Sequence, residues 1–324
     1  MMVRGYCRCI IQQFAHMEDD LLRWFRHKIP SHPQMVVGPG DDAAVLKLSD
    51  GAQLVATTDM LMVGTDFELD KHSLALIGHK ALAVNLSDLA AMAAKPIAAL
   101  ISLALPASGG EALAKQLYEG ILATAERFGV AIAGGDTNSW NGPLVISVTA
   151  LGEVMPGREW RRSGAKPGDV ILVTGAFGGS ILGRHLEVAP RVNEALWLAE
   201  HAEINAAMDV SDGLSLDLAR LAEASGVGAC IALEQVPIAE AAHTLAAQLN
   251  DGCTALEHAL GDGEDFELIL AVEPESARKL LANPQSPVSL SRIGHIQAGS
   301  GLWHVEGGKQ VPLIPRGYQH SFKP

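Results

Sequence analysis

Six short acidic motifs follow apolar segments along this chain, and their residue types suit the binding of divalent cations. Carboxylates that meet at strand ends repel each other unless a positive charge lies between them. Hard oxygen ligands beside glycines that expose the backbone suit Mg²⁺ ions that bridge to phosphate groups. We therefore predict chemistry on a nucleoside triphosphate. The motifs are Gly40-Asp41-Asp42, Thr57-Thr58-Asp59, Asn85-Leu86-Ser87-Asp88, Gly134-Gly135-Asp136, Asp209-Val210-Ser211-Asp212 and Gly263-Glu264-Asp265.

Each motif taken alone also has a purely structural explanation. Gly-Asp-Asp and Gly-Gly-Asp suit turns, threonines favour strands, and a serine or aspartate suits a helix N-cap. The glycine pair matches neither the Walker A pattern nor the GxGxxG pattern. A common site is favoured because independent turns would not be expected to share one ligand chemistry.

Asp88 is expected to lie at a buried edge. Asn85 and Asp88 share one face of a predicted helix, and their neighbours are nearly all apolar. A buried acid needs a partner, which could be a metal ion or a basic side chain. The alternative is an acid on an exposed helix face.

Four basic residues occur within nine positions of an otherwise acidic chain. Arginine can bind phosphate with two parallel hydrogen bonds, and lysine acts as a point charge. The segment is therefore a candidate phosphate contact, and the alternative is a solvated linker. The residues are Arg158, Arg161, Arg162 and Lys166.

The composition excludes several other classes of protein. The 324 residues carry a net charge of −13, which argues against a nucleic acid partner. No apolar stretch approaches membrane-spanning length, so no membrane partner is expected. The cysteines show no metal-site spacing, which favours reduced thiols and a cytoplasmic location. They are Cys7, Cys9, Cys230 and Cys253.

The pattern of helices and strands predicts an α+β (α/β mixed) protein with two domains. We interpret residues 1–17 as a leader, either a disordered segment or a stretch that precedes a true start at Met17. The segment from Met155 to Asp169 is rich in Gly, Arg and Pro and marks a boundary. The predicted domains are therefore 18–155 and 156–324.

The acidic motifs are expected where these elements begin or end. A strand should end at Thr57-Thr58-Asp59, and a short strand, Val130–Ala133, should end at the glycine pair. Ser73 is the expected N-cap of the long helix that carries Asp88. Ser211 or Asp212 should cap the helix that follows.

Together, these motifs resemble the thiamine-monophosphate kinase family, which belongs to the superfamily of aminoimidazole ribonucleotide synthetase, selenophosphate synthetase and the hydrogenase-maturation dehydratase. Their order and spacing match from about residue 18 to the C-terminus. The long KALAVNLSDLAAM segment is highly specific. The matching segments are GDDAAV (40–45), TTDML (57–61), KALAVNLSDLAAM (80–92), GGDT (134–137), GPLVISVTALGEV (142–154), RRSGAKPGD (161–169), DVSDGLSLDL (209–218) and GEDFEL (263–268).

The resemblance implies a two-domain fold in which the N-terminal domains pair across a homodimer and ATP lies in the cleft between the domains. It implies in-line transfer of the γ-phosphoryl group of ATP to thiamine monophosphate, which gives thiamine diphosphate without a covalent enzyme intermediate. Such a transfer depends on positioning and charge neutralisation more than on a nucleophile. Several Mg²⁺ ions would offset the repulsion between the two phosphates.

The resemblance also implies roles for individual residues through the matching motifs. The implied catalytic residues are Asp42, Asp59, Asp88, Asp136 and Asp212. The implied Mg²⁺ ligands are Asp42, Thr57, Thr58, Asp59, Asp88, Asp136, Asp209 and Asp212. The implied ATP contacts are Gly135, Asp136, Arg162 and Ser211. The implied contacts to the thiamine end of the substrate are Asp66, Glu264 and Tyr318.

Two departures from the family pattern concern the acceptor. Asp66 stands where the family commonly has a histidine that touches the substrate, and Ala93 stands where the family usually has glycine. An acid would repel a substrate phosphate unless a metal ion bridged them, but it could attract the thiazolium cation. The alternatives are a superfamily relative that phosphorylates a different small-molecule acceptor, and a catalytically silent nucleotide-binding protein. The intact acidic motifs disfavour the silent protein.

Overall fold

The computed structural model describes residue 21 and residues 23–37, 45–249 and 252–319. The leader and Asp42 lie outside these residues, so the expectations about them stay predictions. The strands of the described part are β1 (Met35–Val37), β2 (Val45–Leu46), β3 (Gln53–Met62), β4 (Lys95–Pro106), β5 (Ala131–Trp140), β6 (Val145–Val154), β7 (Val170–Thr174), β8 (Ile204–Asp209), β9 (Gly228–Ile231), β10 (Leu268–Val272), β11 (Leu290–Gln297), β12 (Gly301–Glu306) and β13 (Lys309–Pro312). Its helices are α1 (residues 23–28), α2 (Leu74–Ala91), α3 (Gly110–Phe128), α4 (Val192–His201), α5 (Leu214–Ala224), α6 (Glu240–Leu249), α7 (Ala255–Gly261) and α8 (Pro274–Ala282).

The first unit is a four-stranded sheet covered on one face by α2 and α3. The strand order is β3-β6-β4-β5. β6 pairs antiparallel with both β3 and β4, and β4 pairs parallel with β5. Helices α2 and α3 pack against the strands from one side. The sheet therefore has one covered face and one open face.

Helix α2 is the central element of the molecule because nearly every side of it is buried. An all-round apolar helix of this kind is typical of a protein interior. One side packs on β3, β4 and β6, and another packs on α4 and β8 of the second unit. The predicted N-cap is confirmed, since the Ser73 hydroxyl accepts a hydrogen bond from the Leu76 backbone N–H at 3.2 Å.

Two glycines allow α2 and α3 to pack very closely. A Cβ atom at Gly78 would lie 2.0 Å from the backbone oxygen of Leu117, and one at Gly120 would lie 1.8 Å from that of Ala75. No side chain fits at either position, because real Cβ atoms do not approach backbone that closely. This contact fixes the position of α2 on the sheet, and with it the position of Asp88.

The second unit is a mixed seven-stranded sheet in the order β13-β12-β9-β11-β7-β10-β8. β12 and β9 run parallel, whereas the other neighbours run antiparallel. Buried apolar side chains of the two units form one continuous cluster, which includes Leu86 of α2 and Leu270 of β10. None of the helices in the described part combines the length and apolar character that crossing a bilayer requires.

Two strands run further than the sequence pattern predicts. The prediction that a strand ends at Asp59 is wrong, because β3 pairs with β6 over its whole length to Met62. The prediction that a strand ends before the glycine pair is also wrong, because β5 continues through Gly134-Gly135-Asp136 to Trp140. Pairing with β4 overrides the turn preference of the glycines, and a register shift beside Leu100 accommodates them.

The predicted cap of α5 is likewise wrong. The N-cap position is Gly213, which has no side chain to accept a hydrogen bond. The carboxylate of Asp217, in the first turn, instead accepts from the backbone N–H groups of Asp212 and Gly213 at 2.9 and 3.1 Å. A carboxylate in this position also interacts favourably with the helix N-terminus.

Candidate active site

Two cavities lie at the junction of the two units, and we call the one of about 280 Å³ the larger cavity. Most of the described carboxylates that the sequence singled out lie on its walls. The first unit contributes side chains from β3, from the turn after it and from α2, and the second contributes the loops that follow β8 and precede β10. The polar and charged residues that line it are Asp59, Thr65, Asp66, Lys80, Asp88, Asp209, Ser211, Asp212, Asp262, Glu264 and Tyr318.

A second cavity of about 230 Å³, the smaller cavity, lies on the other side of the same junction. Thr57, Met92 and Arg162 line it, together with Asp88 and Asp209. Asp88 and Asp209 therefore belong to both cavities. A ligand in each cavity could reach the same pair of carboxylates.

Strand β3 and helix α2 place Asp59, Thr57 and Asp88 side by side. Residues two apart in a strand share a face, so Thr57 and Asp59 both point toward α2. The Thr57 hydroxyl donates a hydrogen bond to the Asp88 carboxylate. This bond ties the sheet to the helix at the point where their oxygen atoms converge.

Asp209 reaches the same point from the second unit. It is the last residue of β8 and is almost fully buried. Its carboxylate accepts a hydrogen bond of 2.6 Å from the Ser87 hydroxyl on α2. One helix thus supplies both Asp88 and the group that orients Asp209, which explains why the acidic and hydroxyl residues of the NLSD segment are adjacent.

Burial and mutual repulsion make these carboxyl groups hard to ionise together. Burial raises the pKa of Asp209 to about 7, with a further contribution from the charge of Asp88, although the bond from Ser87 opposes the shift. Burial, followed by the charges of Asp88 and Asp66, raises the pKa of Asp59 to about 6. An added cation would remove this penalty by compensating the charge.

The pKa of Asp88 is also raised, again mainly by burial. The hydrogen bond from Thr57 and the charge of Arg162 act in the opposite direction. Arg162 is exposed at the wall of the smaller cavity. It is the described guanidinium group that this cavity offers to an anionic ligand.

The donor set fits Mg²⁺, but only with help from a ligand. Within the described ranges, no three carboxylate, imidazole or thiolate groups meet at one point as a complete metal site. The oxygens of Asp59, Asp88, Asp209 and Thr57 line the junction of the two cavities and are hard ligands of the kind that Mg²⁺ takes. Because Mg²⁺ commonly keeps water and substrate phosphate in its shell, an incomplete protein set of this kind fits a metal–nucleotide complex.

Two predicted ligands, Thr58 and Asp136, lie on the other face of the first sheet. Thr58 points away from α2, and its hydroxyl donates to the backbone oxygen of Val148 at 3.0 Å. Asp136 is cross-strand from Ser102, on the exposed face of β5, next to Gly135. Two strands separate β5 from β3, which corresponds to about 14 Å at the usual strand spacing. The structure therefore does not bring Thr58, Gly135 or Asp136 into contact with the buried carboxylates.

Asp212 lines the larger cavity but already has a partner. Its carboxylate forms an ion pair with Arg220 of α5, eight residues further along the chain. Its backbone oxygen accepts from the Tyr318 N–H at 2.9 Å, which brings the C-terminal segment to the rim of the cavity. Ser211 also lines the larger cavity, and its backbone oxygen accepts from Glu264.

The far end of the larger cavity contains Asp66, Glu264 and Tyr318, the three predicted substrate contacts. It also contains Lys80, which the sequence analysis missed. A lysine placed four and eight residues before Val84 and Asp88 lies on the same helix face. That spacing, within a helix that is mostly apolar, was the available signal.

The two remaining acids of the GEDFE segment have structural roles. Asp265 accepts hydrogen bonds from Gly178 N–H at 3.0 Å and pairs with Arg184. Glu267 forms a two-pronged pair with Arg191, at 2.6 and 2.7 Å. These ion pairs hold the loop that carries Glu264. Asp265 and Glu267 therefore stabilise the loop, whereas Glu264 lines the larger cavity.

Comparisons with known proteins agree with this architecture. The family described as AIR synthase related protein, N-terminal domain, matches residues 40–154, and its C-terminal counterpart matches residues 166–304. The fold and the site between the two units therefore define a two-domain protein of the AIR synthase related class.

Similarity to individual relatives identifies the family within this class. The thiamine-monophosphate kinase of Rhodopirellula baltica is 47% identical over 313 residues, which cover 94% of this chain and 98% of that protein. The thiamine-monophosphate kinase of Salmonella typhimurium is 36% identical over 330 residues, with coverage of 94% and 98%. The chain belongs to the thiamine-monophosphate kinase family.

Solved structures show the same similarity. A thiamine-monophosphate kinase from Stenotrophomonas maltophilia is 35% identical with a TM-score of 0.75, covering 89% of this chain and 95% of that one. The structure described as AaThiL complexed with AMPPCP and TMP is 28% identical with a TM-score of 0.73, and the coverage is 94% and 96%. Escherichia coli HypE, a hydrogenase maturation protein, shares the fold at 21% identity and a TM-score of 0.72.

Proposed function

We propose that this chain transfers the γ-phosphoryl group of ATP to the phosphate of thiamine monophosphate, which yields thiamine diphosphate and ADP. The observation that carries the proposal is the position of Asp88 and Asp209 at the boundary shared by two interdomain cavities. At that boundary, the same two carboxylates can act on a phosphate group in each of the two cavities. Similarity to thiamine-monophosphate kinases over 94% of the chain supports this choice of reaction.

The reaction needs no covalent intermediate with the protein. An oxygen of the acceptor phosphate attacks the γ-phosphorus, and the bond between that phosphorus and the β,γ-bridging oxygen breaks as ADP leaves. The acceptor phosphate, with a second pKa of about 6, is largely ionised at neutral pH, so a strong general base is unnecessary. The chain's task is to hold two anionic groups in line and to offset their repulsion.

Mg²⁺ is proposed as the cation that the carboxylates hold. When bound, it would neutralise charge that develops on the transferred phosphoryl group. Asp59, Asp88 and Asp209, with the Thr57 hydroxyl, would hold it at the junction of the cavities. Roles for Asp42, Thr58, Asp136 and Asp212 as further ligands stay predictions, as does the number of ions.

The two cavities suggest where each substrate lies. The exposed guanidinium of Arg162 supports placing the triphosphate at the smaller cavity. Glu264 and Tyr318 support placing the thiamine end in the larger cavity, because a carboxylate and an aromatic ring both suit a cationic heterocycle. Ser211, next to Asp209, would then lie near the border between the two.

A homodimer is part of the proposal. The open face of the first sheet exposes several large apolar side chains, and a second copy of this chain would cover them. They include Leu54, Met60, Met62 and Leu100. Thr58 and Asp136 lie on the same face, so their predicted contacts would be made on the side that the dimer covers. Light scattering should give twice the chain mass of 34.1 kDa, and Met60→Asp should reduce it toward the monomer value.

We also keep domain limits of 18–155 and 156–324 and a cytoplasmic location as proposals. Thiamine monophosphate is a small charged metabolite, and the chain's reduced thiols favour a reducing compartment. Cys230 is a buried thiol in the described structure.

The test is to measure ADP release from ATP and Mg²⁺ with and without thiamine monophosphate, and to identify the product by phosphorus NMR. Release that depends on thiamine monophosphate, with thiamine diphosphate as product, is the expected result. Turnover only with another acceptor would instead favour a superfamily relative. Nucleotide binding without turnover on any acceptor would indicate a silent nucleotide-binding protein.

A further inference from the structure

Lys80 is a completely buried cation on the wall of the larger cavity. Its ammonium group donates to the carboxylate of Glu264 and, at 2.9 Å, to the backbone oxygen of Asp66. A buried charge is tolerated only where partners of this kind compensate it. Lys80 therefore connects three elements: helix α2, the turn after β3 and the loop before β10 in the second unit.

Lys80 and Asp88, a proposed metal ligand, lie at different positions along helix α2. Lys80, Val84 and Asp88 follow one another at four-residue intervals on one face, and all three line the cavity. Eight residues of helix span about 12 Å at 1.5 Å per residue. The phosphate end of an acceptor would lie near Asp88, so Lys80 lies at its organic end.

The backbone of Glu264 is fixed, but its side chain needs a further anchor. Glu264 has a positive φ of 53° and Phe266 one of 50°, which are uncommon for residues with side chains. Their backbone N–H groups donate to Ser211 at 2.7 Å and Val210 at 2.8 Å. The carboxylate itself is about one-third exposed to the cavity, and Lys80 is the cation that holds its other side.

We propose that Lys80 is the positioning residue for Glu264, and that this ion pair across the two domains sets the affinity for the acceptor rather than for ATP. The inference rests on the proposed function. Lys80 acts through Glu264, which it aims at the cationic, amino-bearing heterocycles of thiamine monophosphate. Without Lys80, the flexible glutamate side chain would have to be ordered by the substrate, which weakens binding.

The primary test is the steady-state kinetics of Lys80→Met, which keeps the apolar stem and removes the charge. We expect the KM for thiamine monophosphate to rise about 10-fold to 100-fold, as for loss of a charge-assisted hydrogen bond. The KM for ATP, and kcat at saturating acceptor, should stay within about threefold of wild type because the nucleotide side is untouched. An unchanged acceptor KM would overturn the proposal.

His79→Ala is the matched control, since it removes another contact between α2 and the second unit. The His79 ring lies 2.7 Å from the backbone oxygen of Val188 and 2.7 Å from the Thr124 hydroxyl, and it does not line the larger cavity. We expect a lower melting temperature without a change in acceptor KM. If His79→Ala raised the acceptor KM as much as Lys80→Met does, Lys80 would serve domain docking only.

A double-mutant cycle with Glu264→Gln separates positioning from direct contact. If Lys80 works through Glu264, the double variant should have the same acceptor KM as Glu264→Gln alone. A further tenfold rise in the double variant would show that Lys80 contacts the substrate itself. The double variant also removes both charges of the pair, so it avoids the unpaired carboxylate that could unfold Lys80→Met and carries the test if that variant fails to fold. Wild-type turnover with thiamine monophosphate, measured first, tests the proposed function separately.

Discussion

The two interdomain cavities share Asp88 and Asp209 but differ in how they present positive charge. In the larger cavity the cation is Lys80, which is wholly buried and bonded to protein groups from both domains. In the smaller cavity it is Arg162, which is exposed on the segment between the domains. One cation is committed to the protein, and the other is available to a ligand.

This difference suits two different recognition tasks. A triphosphate is a strong anion that an exposed arginine and metal ions can bind with little prior ordering. A cationic organic acceptor offers weaker electrostatic contacts than a triphosphate does. Its affinity therefore increases when the carboxylate that contacts it is held in place beforehand. The phosphoryl group would pass between the two cavities at Asp88 and Asp209, the carboxylates that line both.

The largest expected effect comes from the shared boundary. Asp88→Asn keeps the hydrogen bond from Thr57 but removes the charge that both cavities use. We expect kcat to fall by roughly 10²-fold to 10³-fold, the loss typical for removal of one charge-stabilising group at a reacting centre. The fold should survive, because burial already raises the pKa of this carboxyl group. Steady-state kinetics and circular dichroism measure the two quantities.

Asp262→Asn is the control for that prediction. Asp262 lines the larger cavity, but its carboxylate accepts from Gly179 N–H at 2.8 Å and lies 2.9 Å from His258. An asparagine can retain one of these contacts, so turnover should stay within about fivefold of wild type. Equal losses in Asp88→Asn and Asp262→Asn would mean that any cavity acid matters, and the special position of Asp88 would be lost.

The second-largest effect is expected at Arg162, which should influence ATP binding as Lys80 influences binding of the acceptor. We expect Arg162→Met to raise the KM for ATP about tenfold, as for loss of one charge-assisted contact, while the acceptor KM changes little. Arg161→Met is the control, because Arg161 is an exposed neighbour that pairs with Glu159. A rise in both KM values for Arg162→Met would erase the division of labour between the cavities.

The sequence predicted the long buried helix well. The Ser73 cap and the apolar character of α2 are local signals, and the structure confirms the cap. The strand ends at Asp59 and Gly134 were not predictable from local residues, because pairing between β3, β6, β4 and β5 decides them. Turn-forming glycines within β5 gave a local preference that a long strand ladder overrides.

The acidic motifs predicted the type of site better than its membership. Asp59, Asp88 and Asp209 share one cavity wall. Asp136, with the same residue type and a similar setting in sequence, faces the open side of the sheet. Which face a strand residue takes follows from register, and an error of one residue reverses it. Lys80 was missed because its spacing of eight residues from Asp88 on one helix face becomes informative only once Asp88 is known to line the cavity.

The third prediction concerns pH and the carboxylates between the cavities. Without metal, Asp59 and Asp209 have pKa values of about 6 and about 7 in the folded protein, against 3.8 for an ordinary aspartate. Between those limits the folded state binds more protons than the unfolded state, so these groups lower the free energy of unfolding as pH rises. MgCl₂ with ADP, compared with EDTA and ADP, should therefore raise the melting temperature by several degrees at pH 8 and by less at pH 5.

Asp209→Asn tests which groups cause that difference. An amide does not titrate, and it can still accept the bond from Ser87. The Mg²⁺-dependent gain in melting temperature at pH 8 should fall to less than half in this variant. A gain of the same size at pH 5 and pH 8 in the wild type would indicate that the metal ion binds elsewhere.

The smallest effect is expected at Asp66, although it stands where the family commonly has a substrate-contacting histidine. Its carboxylate accepts from the backbone N–H of Met62 at 2.7 Å, and its link to Lys80 is through the backbone oxygen. Asp66→Asn can keep both contacts, so the acceptor KM should change by less than about threefold. The loss of charge should lower the pKa of Asp59, which Asp66 helps to raise, and so move the acidic limb of the pH–rate profile downward. A tenfold rise in acceptor KM would show instead that the Asp66 carboxylate contacts the acceptor directly, and recognition in the larger cavity would then depend on two acids rather than on the pair that Lys80 holds.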